Sequence, residues 1–112
     1  MSKPLLSEQP IDPNVIADWK DKHKDVYCIA VPANDDPDAE PLNGYFRKPT
    51  IDEMALATSA NKDNPLKASI VMYNSSLLGG HPSFMSDDTV KRSALSKFGE
   101  IVKVREAAIK KL

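Results

Sequence analysis

The sequence predicts an α+β fold, in which a small antiparallel β-hairpin packs against a layer of three to four helices and a long helix forms the C-terminus. Two short segments are rich in β-branched and aromatic residues, and four segments begin with helix-capping signals. The chain has 112 residues, of which 41% are hydrophobic and 28% charged, which is typical of one globular domain. We therefore expect a flexible tail over residues 1–10 and a single domain over residues 11–112.

The first half of the domain is predicted to form one helix and the hairpin. A helix over residues 13–23 begins after Asp12, which is a good N-cap, and has proline at its first position. The segment VYCIAV at 26–31 predicts a strand, and a second strand is expected at 44–48. The loop between them, at 32–43, contains three prolines and four acidic residues, so we expect no regular structure there.

Three helices are predicted after the hairpin. Residues 51–60 follow a capping box, in which Thr50 and Glu53 satisfy each other's free main-chain N–H groups. A second helix, at 65–78, starts with proline and is expected to end at a glycine pair that caps its C-terminus. The last helix, at 87–111, is longer than a domain of this size needs to cover its core, so we expect its far end to be exposed.

Apolar positions that share a face of each element predict the core. In the first strand, the alternate residues Val26, Cys28 and Ala30 are assigned to the buried face. Gly99, in the middle of the last helix, indicates a bend or a close main-chain contact. The other expected core residues are Trp19, Phe46, Met54, Ala55, Leu56, Leu66, Ile70, Tyr73, Leu77, Leu95, Phe98 and Val102.

The histidines and the cysteine do not form a recognisable catalytic or metal-binding pattern. His23 and His81 are the only histidines, and neither has a second ligand at helical spacing. Cys28 is the only cysteine, which excludes an internal disulfide and favours a reducing compartment. A meeting of Cys28 with His81 in space stays open, although a strand cysteine usually acts as a small hydrophobic residue. We expect no enzymatic activity, no metal and no cofactor.

The charge distribution argues against nucleic acid and membranes as partners. Fifteen basic and 16 acidic residues give a net charge of −1, so the chain has no global basic field. Residues 1–60 carry 6 basic and 11 acidic side chains, whereas residues 61–112 carry 9 and 5, so the halves differ in sign. No segment has the apolar run of a signal peptide or a membrane span, and we expect a cytoplasmic protein.

The order of these segments resembles that of the tail assembly chaperones of long-tailed phages. The resemblance covers about residues 26–112. It concerns the order of the segments and the residues that begin and end them, and it includes no catalytic motif. It rests on Tyr45-Phe46-Arg47-Lys48-Pro49-Thr50 leading into a capped helix, a proline-started helix that ends in LLGG, and a long basic helix that ends in KKL.

This resemblance implies non-enzymatic work in the cytoplasm of the host cell. Such chaperones coat the long tape measure protein before the tail tube forms around it, and they are absent from the finished virion. The implied partners are phage assembly proteins, above all a long helical protein of tape-measure type, and further copies of the chain that associate through the over-long last helix. The residues expected to bind a partner lie at the exposed end of that helix and at the hairpin–helix junction: Tyr45, Arg47, Ile101, Val104, Arg105, Ala108, Ile109 and Leu112.

Two other functions fit the same composition. A structural or adaptor protein retained in the virion would order its N-terminal tail against neighbouring chains. A small regulatory or nucleic-acid-binding protein would need the basic residues of 91–111 to converge on one face, whereas helical geometry spreads them around the axis. Structural packing also explains Arg47, which would then pair with Asp52 or Glu53.

Overall fold

The structure, a computed structural model, describes residues 3–102 and 107–112. Within these ranges the chain forms a four-stranded mixed sheet and five helices, which confirms the α+β fold and the long C-terminal helix. In chain order the elements are β1 (Leu5–Leu6), α1 (Pro13–His23), β2 (Val26–Val31), β3 (Leu42–Arg47), α2 (Ile51–Ala60), α3 (Pro65–Ser76), β4 (Leu77–Gly80), α4 (Ser83–Ser86) and α5 (Asp88–Ile101).

Helices α1, α2 and α3 begin where the sequence places their caps. The Asp12 side chain accepts a hydrogen bond from the N–H of Asn14 at 2.8 Å. Thr50 and Glu53 form both hydrogen bonds of the capping box, at 3.1 and 2.8 Å. α1, β2 and α2 have the bounds that the sequence predicts.

The sheet is larger than the predicted hairpin. β2 and β3 pair antiparallel as expected, with Tyr27 opposite Phe46 and Val31 opposite Leu42. β3 also pairs antiparallel with β4, and β4 pairs in parallel with β1, so the strand order is β1-β4-β3-β2. The hairpin is thus one half of a mixed sheet, and β2 lies at its edge.

Two expectations about the other half of the sheet are wrong. Leu5 and Leu6, expected in a flexible tail, pair with Gly79 and Gly80. These glycines, expected to cap a helix, form the end of β4, and α3 is correspondingly shorter than predicted. Glycine is required because β1 and α1 approach β4 closely: a Cβ at Gly79 would lie 2.6 Å from the main-chain oxygen of Leu5 and 2.8 Å from the ring of Trp19.

The core lies between one face of the sheet and helices α3, α4 and α5. Phe46 is at its centre, with its ring centroid 5.0 Å from that of Tyr73, 5.5 Å from Phe98 and 6.2 Å from Phe84. The Tyr73 hydroxyl donates to the main-chain oxygen of Phe84 at 2.8 Å, so its polar end is satisfied. The other buried members of this cluster are Ile29, Val31, Leu77, Val90, Ala94 and Ile101.

The expected core is right at its centre and wrong at its periphery. The predicted aromatic residues of the centre and Leu77 are buried, but β2 buries Ile29 and Val31 instead of the alternate residues. All six residues of β2 are apolar, so alternation does not reveal which set faces inward. Of the expected core residues, Cys28, Ala30, Ala55, Leu56 and Leu66 are exposed, and Trp19, Val26, Met54, Ile70, Leu95 and Val102 are only half-buried.

Helix α5 ends earlier than the sequence predicts. It runs to Ile101, and residues 107–112 are exposed and not helical. Short helical segments without core contacts are marginal in water, so apolar spacing alone does not make this segment a helix.

Candidate functional site

An apolar groove of about 510 Å³ lies between α3 and α5. The two helices are held on the same core, where the rings of Tyr73 and Phe98 meet edge to face at 5.8 Å. This α3–α5 groove is lined by Leu66, Ser69, Met72, Arg92, Leu95, Ser96, Phe98, Gly99 and Val102.

Leu66 and Gly99 give the α3–α5 groove its open character. Leu66, in the first turn of α3, leaves 63% of its surface exposed. Glycine inside a helix costs about 1 kcal/mol relative to alanine. A Cβ at Gly99 would meet no atom within 4 Å, so no close contact within the described chain accounts for this glycine. The groove therefore has the exposed side chain of Leu66 on α3 and, at Gly99 on α5, helix backbone that no side chain covers.

The α3–α5 groove suits an amphipathic helix. Met72 and Leu95 are partly buried against the core, and a methionine side chain adapts to irregular apolar surfaces. The small residues Ser96 and Gly99 permit a second helix axis to approach closely. At the rim, Arg92 and Asp88 form an exposed pair at 3.0 Å, which adds polarity without closing the groove. Docking an apolar helix face into such a groove is a recurrent mode of peptide recognition.

Arg47 joins the hairpin to the helical layer. Its guanidinium donates to both carboxylate oxygens of Glu53 at 2.7 Å and to the main-chain oxygen of Ser75 at 2.9 Å. The hydrogen bonds from Arg47, together with those from Thr50, lower the pKa of Glu53 from 4.5 to about 2. The expected pairing of Arg47 with Glu53 is confirmed, and it accounts for Arg47 without a partner protein.

Tyr45 attaches α1 to the face of the sheet opposite the core. Its ring lies 5.8 Å from that of Trp19, and the residue is half-buried. Cys28, its cross-strand neighbour, is exposed. Partial desolvation raises the pKa of the Cys28 thiol, and a hydrogen bond with Tyr45 opposes that shift. A nucleophilic cysteine needs a lowered pKa, so the surroundings of Cys28 do not activate it.

The His81 side chain forms its hydrogen bonds within its own turn. Its Nδ1 lies 2.7 Å from the Oγ of Ser83 and accepts a hydrogen bond from the Ser83 N–H at 3.2 Å. Such contacts between residues two positions apart close a local turn at the start of α4. Across residues 3–102 and 107–112, no group of three His, Cys, Asp or Glu side chains is placed to hold a metal ion.

The structure separates the residues expected to bind a partner. Tyr45 and Arg47 have the intramolecular contacts described above. Ile101, expected on an exposed helix end, is buried in the core because α5 packs on the sheet up to this residue. Val104 and Arg105 lie outside the described residues. The remaining three, Ala108, Ile109 and Leu112, are exposed.

Sequence reasoning missed the α3–α5 groove as a site. In the sequence, only Gly99 indicates a possible close approach on α5. Leu66 was expected in the core because it follows the helical spacing of the apolar residues of α3. Periodicity identifies an apolar face but not which part of it finds a partner within the chain. The groove becomes visible only once α3 and α5 are placed side by side.

Comparison with known proteins gives no relative of this chain. It matches no protein-family model, no curated protein and no solved structure. Among the helices of the described residues, none has the length and apolar character needed to cross a membrane.

Proposed function

We propose that this protein is a non-enzymatic tail assembly chaperone of a long-tailed phage, and that its α3–α5 groove binds a long helical protein of tape-measure type in the host cytoplasm during virion assembly. The observation that carries the proposal is the groove itself, in which Leu66 is exposed and a Cβ at Gly99 would meet no atom within 4 Å. The order of segments along the chain, which resembles that of such chaperones, supplies the class of partner.

The expected mode of binding follows from the residues of the groove. An amphipathic helix presents an apolar stripe about 100° wide, which fits between Leu66 on α3 and Leu95 and Val102 on α5. Full burial of one such leucine side chain is worth about 1.5–3 kcal/mol. Several such contacts are needed to offset the cost of association, so we expect an affinity that still permits release of the partner.

Filling the groove tests this proposal. In Gly99→Trp the indole occupies the groove, whereas Ser93→Trp adds the same side chain at an exposed position of α5 that does not line it. Each tagged chain is expressed in phage-producing cells and captured, and circular dichroism checks that it is folded. We expect wild type and Ser93→Trp to retain one long protein with a continuous amphipathic helical sequence, and Gly99→Trp to lose it. Equal capture by all three chains would contradict the proposal.

Two further measurements distinguish the alternative functions. A chaperone is absent from purified phage particles, so its abundance there would instead make this chain a structural or adaptor component of the virion. Salt-dependent binding to nucleic acid would indicate a regulatory role. Two of the described basic residues of α5 already have contacts within the chain, since Lys91 lies 5.8 Å from the ring centroid of Tyr73 and Arg92 pairs with Asp88.

A further inference from the structure

The outer edge of β2 has no main-chain partner in the described part of the chain. Among the described residues, β2 is the last strand of the sheet and pairs only with β3. No other main-chain hydrogen bond joins residues 26–31 to a turn, loop or cap within residues 3–102 and 107–112. Such an edge presents N–H and C=O groups that a further strand can pair with.

As far as the structure describes the chain, β2 also lacks the usual protections of an edge strand. Proteins protect such strands with charged residues, proline, bulges or a covering element. VYCIAV contains neither charge nor proline, and its register with β3 is regular throughout. Its outward side chains, Cys28 and Ala30, are small and exposed. α1 contacts β2 but leaves both of these side chains exposed, and its Trp19 packs against Tyr45 and Gly79 on the inner strands.

The two ends of β2 carry opposite charges. Around its first residue, the exposed Lys22, Lys24 and Lys48 outnumber Asp25. Beyond its last residue, the loop at 34–40 carries four exposed acidic side chains and no basic one. In an antiparallel pair of β2 strands, the acidic loop of each copy lies beside the basic end of the other, whereas a parallel pair would place like charges together.

We propose that two copies of this protein associate by antiparallel pairing of their β2 strands. The four strands of each copy then join into one continuous sheet, with a two-fold axis near Cys28 and Ile29. A two-fold interface of this kind is self-complementary and closes at the dimer. The interface differs from the self-association through the last helix that the sequence suggests, and it does not depend on the function proposed above.

Mass measurement with edge variants tests the interface. By light scattering and sedimentation at about 0.1 mM, we expect wild type to have twice the 12.3 kDa of the chain. Cys28→Lys combined with Ala30→Lys places like charges across the two-fold axis, and should weaken dimerisation at least about tenfold. Asn43→Lys is the matched control. Asn43 is exposed and pairs with Ala30, but it belongs to β3, an inner strand that does not form the edge of the sheet. We expect it to dimerise as wild type does.

Cross-linking provides an independent test through the single cysteine of the chain. A short bis-maleimide should join two wild-type chains through Cys28. Raising the salt from about 0.1 M to about 1 M should reduce the yield, because it screens the charges at the strand ends. A monomer at all concentrations up to about 1 mM would overturn the proposal. It would also be overturned by a dimer that neither cross-links at Cys28 nor responds to the two lysines.

Discussion

Phe98 connects α5 to the aromatic centre of the core, where it is 2% exposed. Phe98→Ala removes its contacts with Phe46 and Tyr73 and leaves a cavity, so we expect the free energy of unfolding to fall by about 3–5 kcal/mol. Urea denaturation measures the change. Ser93→Ala, at an exposed position of the same helix, should change it by less than about 0.5 kcal/mol. Equal midpoints for wild type and Phe98→Ala would show that this ring does not support the core.

The pairing of Arg47 with Glu53 makes stability depend on pH. The pKa of Glu53 is lowered from 4.5 to about 2, so the folded state favours the carboxylate more strongly than the unfolded state does. The resulting stabilisation is fully present above about pH 5 and is lost as the pH falls towards about pH 2. In urea titrations at several pH values, we expect the advantage of wild type over Glu53→Gln to shrink across this range.

A neighbouring carboxylate gives the control for this pH dependence. Asp52 is exposed and makes no ion pair in the described residues, so Asp52→Asn should keep the pH profile of wild type. An advantage of wild type over Glu53→Gln that stays constant from about pH 5 to about pH 2 would contradict the role assigned to the ion pair.

At the level of single residues, contacts between residues close in sequence were predictable, but which side chains of a strand face the core was not. Thr50 and Glu53 are close in sequence, so their capping box can be read directly from it. Whether Cys28 or Ile29 faces the core depends on Phe46, with which β2 becomes aligned only after the hairpin forms.

The same distinction applies to whole elements. Helices α1, α2 and α3 begin at polar caps followed by proline or by a capping box, and these starts were all predicted. β1 has two residues, too few for any period, and it is a strand only because β4 lies beside it. At β4 the sequence predicts a helix cap instead of a strand, because glycines such as Gly79 and Gly80 are common just after a helix and are disfavoured in strands.

Gly79 is expected to tolerate no side chain. In Gly79→Ala the new methyl group would press on the main chain of Leu5 and on the ring of Trp19, which hold β1 and α1 against β4. We expect a loss of about 1–3 kcal/mol in the free energy of unfolding, as for other overpacked sites. Thermal and urea denaturation measure it. A variant as stable as wild type would mean that β1 and α1 move aside without cost.

Gly99 is expected to respond in the opposite direction to the same substitution. A Cβ there meets no atom within 4 Å, and alanine favours the helix over glycine, so Gly99→Ala should gain about 0.5–1 kcal/mol. Urea midpoints measured beside those of Gly79→Ala provide the comparison. A destabilised Gly99→Ala would show that the helix needs glycine for its own conformation. The interpretation of the bare backbone as room for a partner would then fail.

For the whole molecule, the fold class was predictable and the interaction surfaces were not. Caps and apolar segments are local, and together they define a sheet packed on helices. The α3–α5 groove brings together residues that are far apart in the sequence, such as Leu66 at the start of α3 and Val102 just after α5. The unpaired edge of β2 is known only from the strand order. Both surfaces depend on contacts between distant segments, for which one sequence gives no direct signal.

The C-terminal residues 107–112 test whether stability and partner binding lie in separate parts of the molecule. Ile109 and Leu112 are fully exposed, so deletion of this segment should change the free energy of unfolding by no more than about 0.5 kcal/mol. If these residues bind the long helical partner, as the sequence pattern predicts, the deletion should still weaken its capture from phage-producing cells. A lower urea midpoint would show that the segment packs on the folded chain. Unchanged capture, with capture lost in Gly99→Trp, would assign binding to the α3–α5 groove alone.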